Sequence, residues 1–129
     1  MLRWHPMPNE TVLYCLTRDR ELADALEGRL AATLSFFYND AARLHQAIVL
    51  RPPDLAVVDA AAIRREYGDA GLGPIVAFLR DEAPGARVAV RPTHGAEWLV
   101  AAEAGERIEM LPAEAEACVA AVAALCKPA

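Results

Sequence analysis

The chain has 129 residues, of which 55% are hydrophobic, and a formal net charge of -5 at pH 7. This length is enough for one domain with a hydrophobic core. The Lys and Arg residues are scattered along an acidic chain, which argues against a nucleic-acid partner. No apolar run approaches the roughly 18 residues of a membrane span, and residues 1–8 lack the apolar core of a signal peptide. We therefore expect a cytoplasmic protein with no membrane and no nucleic-acid partner.

Metal, cofactor and nucleophile chemistry find little support in the sequence. The three cysteines are odd in number and show no CxxC spacing, and the three histidines are far apart, so no metal site and no cofactor are expected. Cys15 lies in an apolar run that favours a buried thiol. Ser35 is the only serine and lies in a predicted strand, not in a nucleophile elbow. The sequence thus predicts a protein that is not an enzyme and has no catalytic residues.

The first half of the chain predicts strands that alternate with helices. Residues 11–17 form a strand, apolar through its middle as in a strand covered on both faces. Asp19 is placed as the N-cap of a helix whose leucines recur at four-residue steps from 22 to 30. Residues 33–38 form the second strand because they are β-branched and aromatic. A second helix follows from 41 and is stopped by Pro52-Pro53.

The second half continues the alternation. Residues 55–58 predict a buried strand that leads into Asp59, and residues 60–73 predict a loop with about one helical turn near 63–67. Pro74 starts the third helix. The elements predicted after it are a strand at 87–90, a short helix at 96–104, a strand at 107–111 and an Ala-rich helix at 113–126.

Five strands that alternate with five helices indicate an α/β fold with a parallel sheet and helices on both faces. We expect a single doubly wound five-stranded sheet of flavodoxin-like order 2-1-3-4-5. Residues 1–10 form a leader, and residues 11–129 form the domain.

The segment from Arg51 to Asp59, RPPDLAVVD, resembles the third strand of response-regulator receiver domains of the CheY-like superfamily. Gly73 before the third helix and Leu111-Pro112 after the fifth strand add to the resemblance, which spans about residues 11–126. The resemblance implies that Asp59 is equivalent to the phosphoaccepting aspartate of a receiver.

The acids that hold a divalent cation in that family are missing from the matching positions. The first strand of a receiver ends in two adjacent acids, and their cation offsets the repulsion between a phosphoryl group and a carboxylate. Here the matching residues are Thr17 and Arg18. Asp19 follows one step later and fits a helix cap, although a shift of one residue in register would bring it to the site.

The residues that respond to the phosphate in receivers are replaced as well. Arg91 stands where the family has Thr or Ser at the end of strand four, with Thr93 nearby. Leu111 replaces the lysine that precedes a proline, and Ile108 replaces the switch aromatic. Lys127, the only lysine, lies beyond the last helix. These departures predict a degenerate receiver, or pseudo-receiver.

The sequence leaves three interpretations of Asp59 open: a structural role, residual phosphorylation, and a role in binding another ligand. An aspartate at the end of a strand commonly accepts hydrogen bonds from amides of the following segment and needs no chemistry. If Asp59 is ionised, Arg18 or Arg91 would neutralise it and occupy the space that a metal and a phosphate take in active receivers. The residues expected to line the pocket are Thr17, Arg18, Asp19, Arg91 and Thr93.

The leading functional prediction is an atypical receiver-like domain in signal transduction that acts by protein contact. One alternative is a receiver phosphorylated at Asp59 in a two-component phosphorelay, with a histidine kinase as its partner. Another is a small flavodoxin-like ligand-binding module whose pocket lies above Asp59, Arg18 and Arg91.

A candidate interface lies on the face of helix 4, strand 5 and helix 5. Trp98 and the Ala-rich final helix, with Val119 and Val122, present apolar area on more than one side, which is typical of a partner surface. We expect a dimer or a complex with another protein through these residues. The alternative is that they cover the sheet.

Overall fold

One parallel sheet organises the protein. A computed structural model describes residues 11–30, 33–92 and 108–126, and within these residues five strands pair in the order β2-β1-β3-β4-β5. All four strand pairs are parallel. The strands are β1 (Thr11–Leu16), β2 (Thr33–Tyr38), β3 (Leu55–Asp59), β4 (Arg87–Arg91) and β5 (Ile108–Met110). The predicted doubly wound α/β fold and its strand order are confirmed.

Helices cover both faces of this sheet. The described helices are α1 (Arg20–Arg29), α2 (Ala41–Leu50), α3 (Ala60–Tyr67), α4 (Gly73–Glu82) and α5 (Ala115–Cys126), with a 3-10 turn at Gly68–Ala70. Buried residues of α2, α3 and α4 share one core cluster with the sheet, and those of α1 and α5 share the other. The two clusters lie on opposite sides because successive side chains of a strand point to opposite faces.

The strands are apolar on both sides because both sides are covered. In β1, Tyr14 belongs to the cluster with α2, α3 and α4, and its neighbours Leu13 and Cys15 belong to the cluster with α1 and α5. All five residues of β3 are buried. Cys15 is a buried thiol, as predicted, and its burial raises its pKa.

Three helices begin just beyond a strand with an aspartate as N-cap. The side chains of Asp19, Asp40 and Asp59 each accept a hydrogen bond from a first-turn amide of α1, α2 and α3, at 3.1, 2.8 and 3.2 Å. Each bond satisfies one backbone donor that has no partner inside the helix. The caps therefore collect at the edge of the sheet where the strands end, which we call the carboxyl edge.

The segment after β3 is the main departure from the predicted elements. Residues 60–67 form a full helix, α3, where a loop with about one helical turn near 63–67 was expected, so the extent of this helix was predicted wrongly. Asp59 caps the helix, and its buried residues Ala60, Ala62 and Ile63 pack against the core. Gly68 and Gly71, with φ of 58° and 63°, then adopt the left-handed backbone that turns the chain toward α4.

Some boundaries differ by one or two residues, and some predictions cannot be compared. Helix α5 starts at Ala115, two residues later than expected, and β1 ends at Leu16, one residue earlier. The predicted leader at 1–10 and the predicted helix at 96–104 lie outside the described residues. Among the described helices, none has the length and apolar character to cross a membrane.

Candidate functional site

Three buried polar side chains meet at the carboxyl edge. Thr17 follows β1, Asp59 ends β3 and Arg91 ends β4, and these strands are neighbours in the sheet. Asp59 and Arg91 are direct partners in the strand register. In the described part of the chain, these three are the buried polar or charged residues, with 5%, 4% and 8% exposure. Burial of polar groups is costly unless they are paired, so their contacts define the site.

Both carboxylate oxygens of Asp59 are engaged. Its Oδ1 accepts the hydrogen bond from the amide of Ala61 that caps α3, at 3.2 Å. Its Oδ2 accepts a hydrogen bond from the hydroxyl of Thr17 at 3.1 Å. The same Oδ2 lies 3.6 Å from Nη1 of Arg91, which is within ion-pair distance but longer than a hydrogen bond. The carboxylate is thus held by a backbone donor, a hydroxyl and a nearby cation.

The guanidinium of Arg91 links three parts of the fold. Its Nη1 donates to Oδ2 of Asp19 at 2.9 Å, and its Nε donates to the carbonyl oxygen of Ala113, just before α5, at 2.9 Å. Asp59 completes its surroundings. A planar guanidinium with several fixed donors suits this arrangement, and an ammonium group does not offer the same geometry. Of the two predicted neutralising arginines, the structure brings Arg91 to Asp59.

Asp19 has both of the roles that the sequence left open. Its Oδ1 caps α1 through the amide of Leu22, and its Oδ2 binds Arg91. Its own amide donates to the hydroxyl oxygen of Thr17 at 3.0 Å. The Thr17 hydroxyl therefore accepts from Asp19 and donates to Asp59, which fixes its direction.

The two acids respond to the site in opposite directions. Burial raises the pKa of Asp59 above its usual 3.8, although the Ala61 amide, the Thr17 hydroxyl and the charge of Arg91 oppose this effect. The hydrogen bond from Arg91 lowers the pKa of Asp19. Burial alone would lower the pKa of Arg91, but its bond to Asp19 and the charge of Asp59 raise it. Arg91 stabilises the ionised form of Asp19 more than that of Asp59, because an oxygen of Asp19 lies 2.9 Å from Nη1 and the nearest oxygen of Asp59 lies 3.6 Å from it.

The ligands offered at this edge do not fit a hard divalent cation. Mg²⁺ and Ca²⁺ take oxygen ligands, usually including carboxylates with free lone pairs. Here the carboxylates of Asp19 and Asp59 both face the guanidinium of Arg91. Across residues 11–30, 33–92 and 108–126, no group of three or more His, Cys, Asp or Glu side chains could hold a metal ion.

A cleft of about 450 Å³ lies over this network, at the point where β1 and β3 send their chains to opposite faces. Its walls include Arg18, Arg65, Ala61 and Ala62 together with Asp19, Asp59 and Arg91. Arg18 is exposed and makes no salt bridge with a described residue. The sequence placed Arg18 among the pocket residues, but it does not neutralise Asp59. Ligands of open α/β sheets commonly bind at such a switch point.

The structure does not support the predicted interface residues of the last helix. Val119 and Val122 are 2% and 0% exposed and belong to the core cluster with α1. They cover the sheet, so their prediction as interface residues was wrong. The four-residue steps of an amphipathic helix cannot by themselves distinguish a face on the sheet from a face toward a partner. Trp98 and Thr93 lie outside the described residues.

The sequence did not indicate four contributors to the site. Ala61, Ala62 and Arg65 belong to α3, where a loop with about one helical turn was expected. The carbonyl of Ala113 comes from a segment assigned to the last helix. The run of three alanines and Ile63 after Asp59 was the signal for α3. No residue type marks a backbone carbonyl as the acceptor for a distant arginine.

The pH dependence of stability tests the state of Asp59. Because burial raises its pKa, the folded protein holds this proton more tightly than the unfolded chain, so ionisation of Asp59 lowers stability as the pH rises above 3.8. Asparagine does not titrate. The unfolding free energy of Asp59→Asn relative to wild type should therefore increase from acid to neutral pH, as measured by denaturant unfolding. A decrease would mean that the pairing with Arg91 outweighs burial.

A double-mutant cycle tests the pairing of Asp59 with Arg91. Removal of one member of a buried ion pair costs about 3–5 kcal/mol in the fully buried limit, and contacting residues couple by about 0.5–3 kcal/mol. We expect coupling in this range between Asp59→Ala and Arg91→Ala in unfolding free energy. The matched cycle of Asp59→Ala with Arg18→Ala should show none. Equal coupling for both arginines would contradict the contacts described above.

Comparison with protein-family models, with curated proteins and with solved structures gave no match to this chain. The function of this protein is therefore inferred from its fold and from the contacts at the carboxyl edge.

Proposed function

We propose that the protein is a receiver-like regulatory domain of the cytoplasm that acts in signal transduction by protein contact, without phosphoryl transfer at Asp59. The observation that carries this proposal is the position of the Arg91 guanidinium, which binds Asp19 and faces Asp59. The support for a receiver is the strand order and the RPPDLAVVD segment that ends in Asp59.

The contacts of Asp59 disfavour its use as a nucleophile. A carboxylate that accepts a phosphoryl group must present one oxygen in line with the leaving group. Asp59 is 4% exposed, one of its oxygens caps α3, and the other accepts from Thr17. Burial and the hydrogen bonds already accepted by both oxygens therefore hinder the approach of a phosphodonor and lower the reactivity of the carboxylate.

Arg91 supplies a fixed positive charge in place of an exchangeable one. A bound metal offers open coordination positions that a phosphoryl oxygen can enter. The described donors of Arg91 point instead to Asp19 and to the Ala113 carbonyl. The guanidinium charge stabilises the folded state. Because these donors are already bonded, they do not offer a phosphoryl dianion the open position that a bound metal would.

Without a phosphoryl switch, the domain communicates through a surface, and β5 offers one. Met110 on this short strand is 53% exposed, and β5 is at one edge of the described sheet. It also borders the face on which Trp98 was predicted to act. Methionine is common at binding surfaces because its flexible side chain adapts to different partners. We place the partner, a second copy or another protein, on this side.

A phosphodonor experiment tests the absence of phosphoryl chemistry. Wild type incubated with acetyl phosphate and magnesium should show no added phosphoryl group by intact mass, because Asp59 is buried and bonded. Titration with magnesium at roughly millimolar concentration, a range suited to weak sites, should give no heat of binding.

The variant Asp59→Asn serves as the control, since any adduct that persists in it must be on another residue. A phosphoryl adduct in wild type that is absent from Asp59→Asn would favour the alternative of an active receiver in a phosphorelay with a histidine kinase.

Sedimentation over a hundredfold range of concentration, roughly that needed to follow a weak dimer, tests the contact surface. We expect wild type to self-associate and Trp98→Ala to weaken association by about 2 kcal/mol if this residue is an anchor. Met110→Glu should weaken it too, because a charge would be buried at the contact.

Leu50→Glu is the matched control, because it introduces the same glutamate at another exposed apolar residue. Leu50 is 85% exposed and lies at the end of α2, away from β5 in the sheet order. Equal loss of association in both glutamate variants would place the contact elsewhere. A wild type that remains monomeric would exclude self-association and leave a different protein as the partner.

A further inference from the structure

Exposed arginines gather at the carboxyl edge of this acidic protein. Arg18, Arg20, Arg43 and Arg65 are all exposed, and each lines at least one of the two clefts at this edge. The chain as a whole carries a net charge of -5. Four exposed positive side chains therefore lie together on a protein whose total charge is negative.

The carboxylates at the same edge are already used within the fold. Asp19 and Asp59 cap helices and face Arg91. Asp40 caps α2 and lies 3.5 Å from Arg43. Glu66 accepts a hydrogen bond from the first amide of α2. These four acids are therefore engaged within the fold, and of the four exposed arginines that line the clefts only Arg43 is paired with one of them among the described residues.

Arg18, Arg20 and Arg65 are the exposed arginines at this edge that have no acidic partner among the described residues. None of the three forms a salt bridge or a side-chain hydrogen bond with another described residue. Guanidinium groups that project into a cleft without a carboxylate partner are suited to an anion, above all a phosphate, which they bind through two parallel hydrogen bonds.

The two clefts adjoin one another. The cleft over Asp59 is about 450 Å³, and a second, between the ends of β1 and β2, is about 500 Å³. Both are lined by Arg18 and Asp19. Each volume falls within the range of about 300–1,000 Å³ that is typical of small-molecule sites. Arg18 thus stands where one ligand could contact both clefts.

The second cleft adds aromatic surface to the positive charge. Phe37 and Tyr38, at the end of β2, line it together with Arg18, Arg20 and Arg43. Both aromatic residues are partly exposed. A planar ring gains from contact with aromatic side chains, while phosphate groups gain from the arginines.

We propose that these adjoining clefts bind a phosphate-bearing small molecule of the nucleotide type. Its phosphates bind Arg18 and the arginines beside it, and its ring lies next to Phe37 and Tyr38. The binding is reversible and involves no bond to Asp59. The inference goes beyond the proposed function, because it assigns a ligand site whether or not the domain associates with a protein.

Titration with ADP, followed by amide chemical shifts at low ionic strength, tests this site. We expect saturable shifts at the ends of β1 and β2, weaker binding of pyrophosphate, and no binding of adenosine. Affinity should fall as salt is added, because exposed charges are screened.

Arg18→Ala should weaken ADP binding by about tenfold or more, as expected for loss of hydrogen bonds to a charged group. Arg29→Ala, an exposed arginine at the opposite end of α1, is the matched control and should bind as wild type does. The proposal is overturned if ADP causes no saturable shifts, if adenosine binds as well as ADP, or if Arg18→Ala binds unchanged. None of these outcomes depends on phosphodonor labelling or on oligomer mass, so each proposal can fail alone.

Discussion

The buried guanidinium of Arg91 is the interaction on which the carboxyl edge depends. It joins the end of β4 to the start of α1 through Asp19, to the end of β3 through Asp59, and to the segment before α5 through the Ala113 carbonyl. Helices α1 and α5 pack on the same face of the sheet. One side chain therefore fastens the starts of both helices to the ends of β3 and β4. Its charge is tolerated in the interior because each contact is to an oxygen.

The arrangement also explains why two similar acids behave differently. Asp19 is partly exposed and lies close to Nη1, so the cation lowers its pKa. Asp59 is deeper and further from the same atom, so loss of hydration dominates and raises its pKa. A difference of less than an ångström in distance, combined with burial, is enough to separate the two groups. The site therefore favours the ionised form of Asp19 and disfavours the ionised form of Asp59.

Much of the fold could be predicted from the sequence because its signals are local. Apolar runs bounded by Gly and Pro indicated the strands, and alternation with helices required a parallel sheet. The site was predictable in part, since the ends of adjacent parallel strands must meet, and Asp59 and Arg91 end their strands while Thr17 follows directly after β1. What could not be predicted depends on tertiary contacts. One acceptor of Arg91 is a backbone carbonyl, and the buried side of α5 is set by α1 and the sheet, so Val119 and Val122 were assigned to the wrong surface.

The contacts of Arg91 also restrict how the chain can change over time. Replacement of this residue alone would remove a nearby cation from the buried Asp59 carboxylate, a donor from the Ala113 carbonyl and the cation paired with Asp19. Loss of Asp19 or Asp59 alone would uncap a helix and leave a buried cation short of an acid. Each of these single substitutions lowers the stability of the fold without creating a metal site. A lineage with this network is therefore constrained by its own folding requirements, and a cation-binding site at this edge would need several simultaneous substitutions.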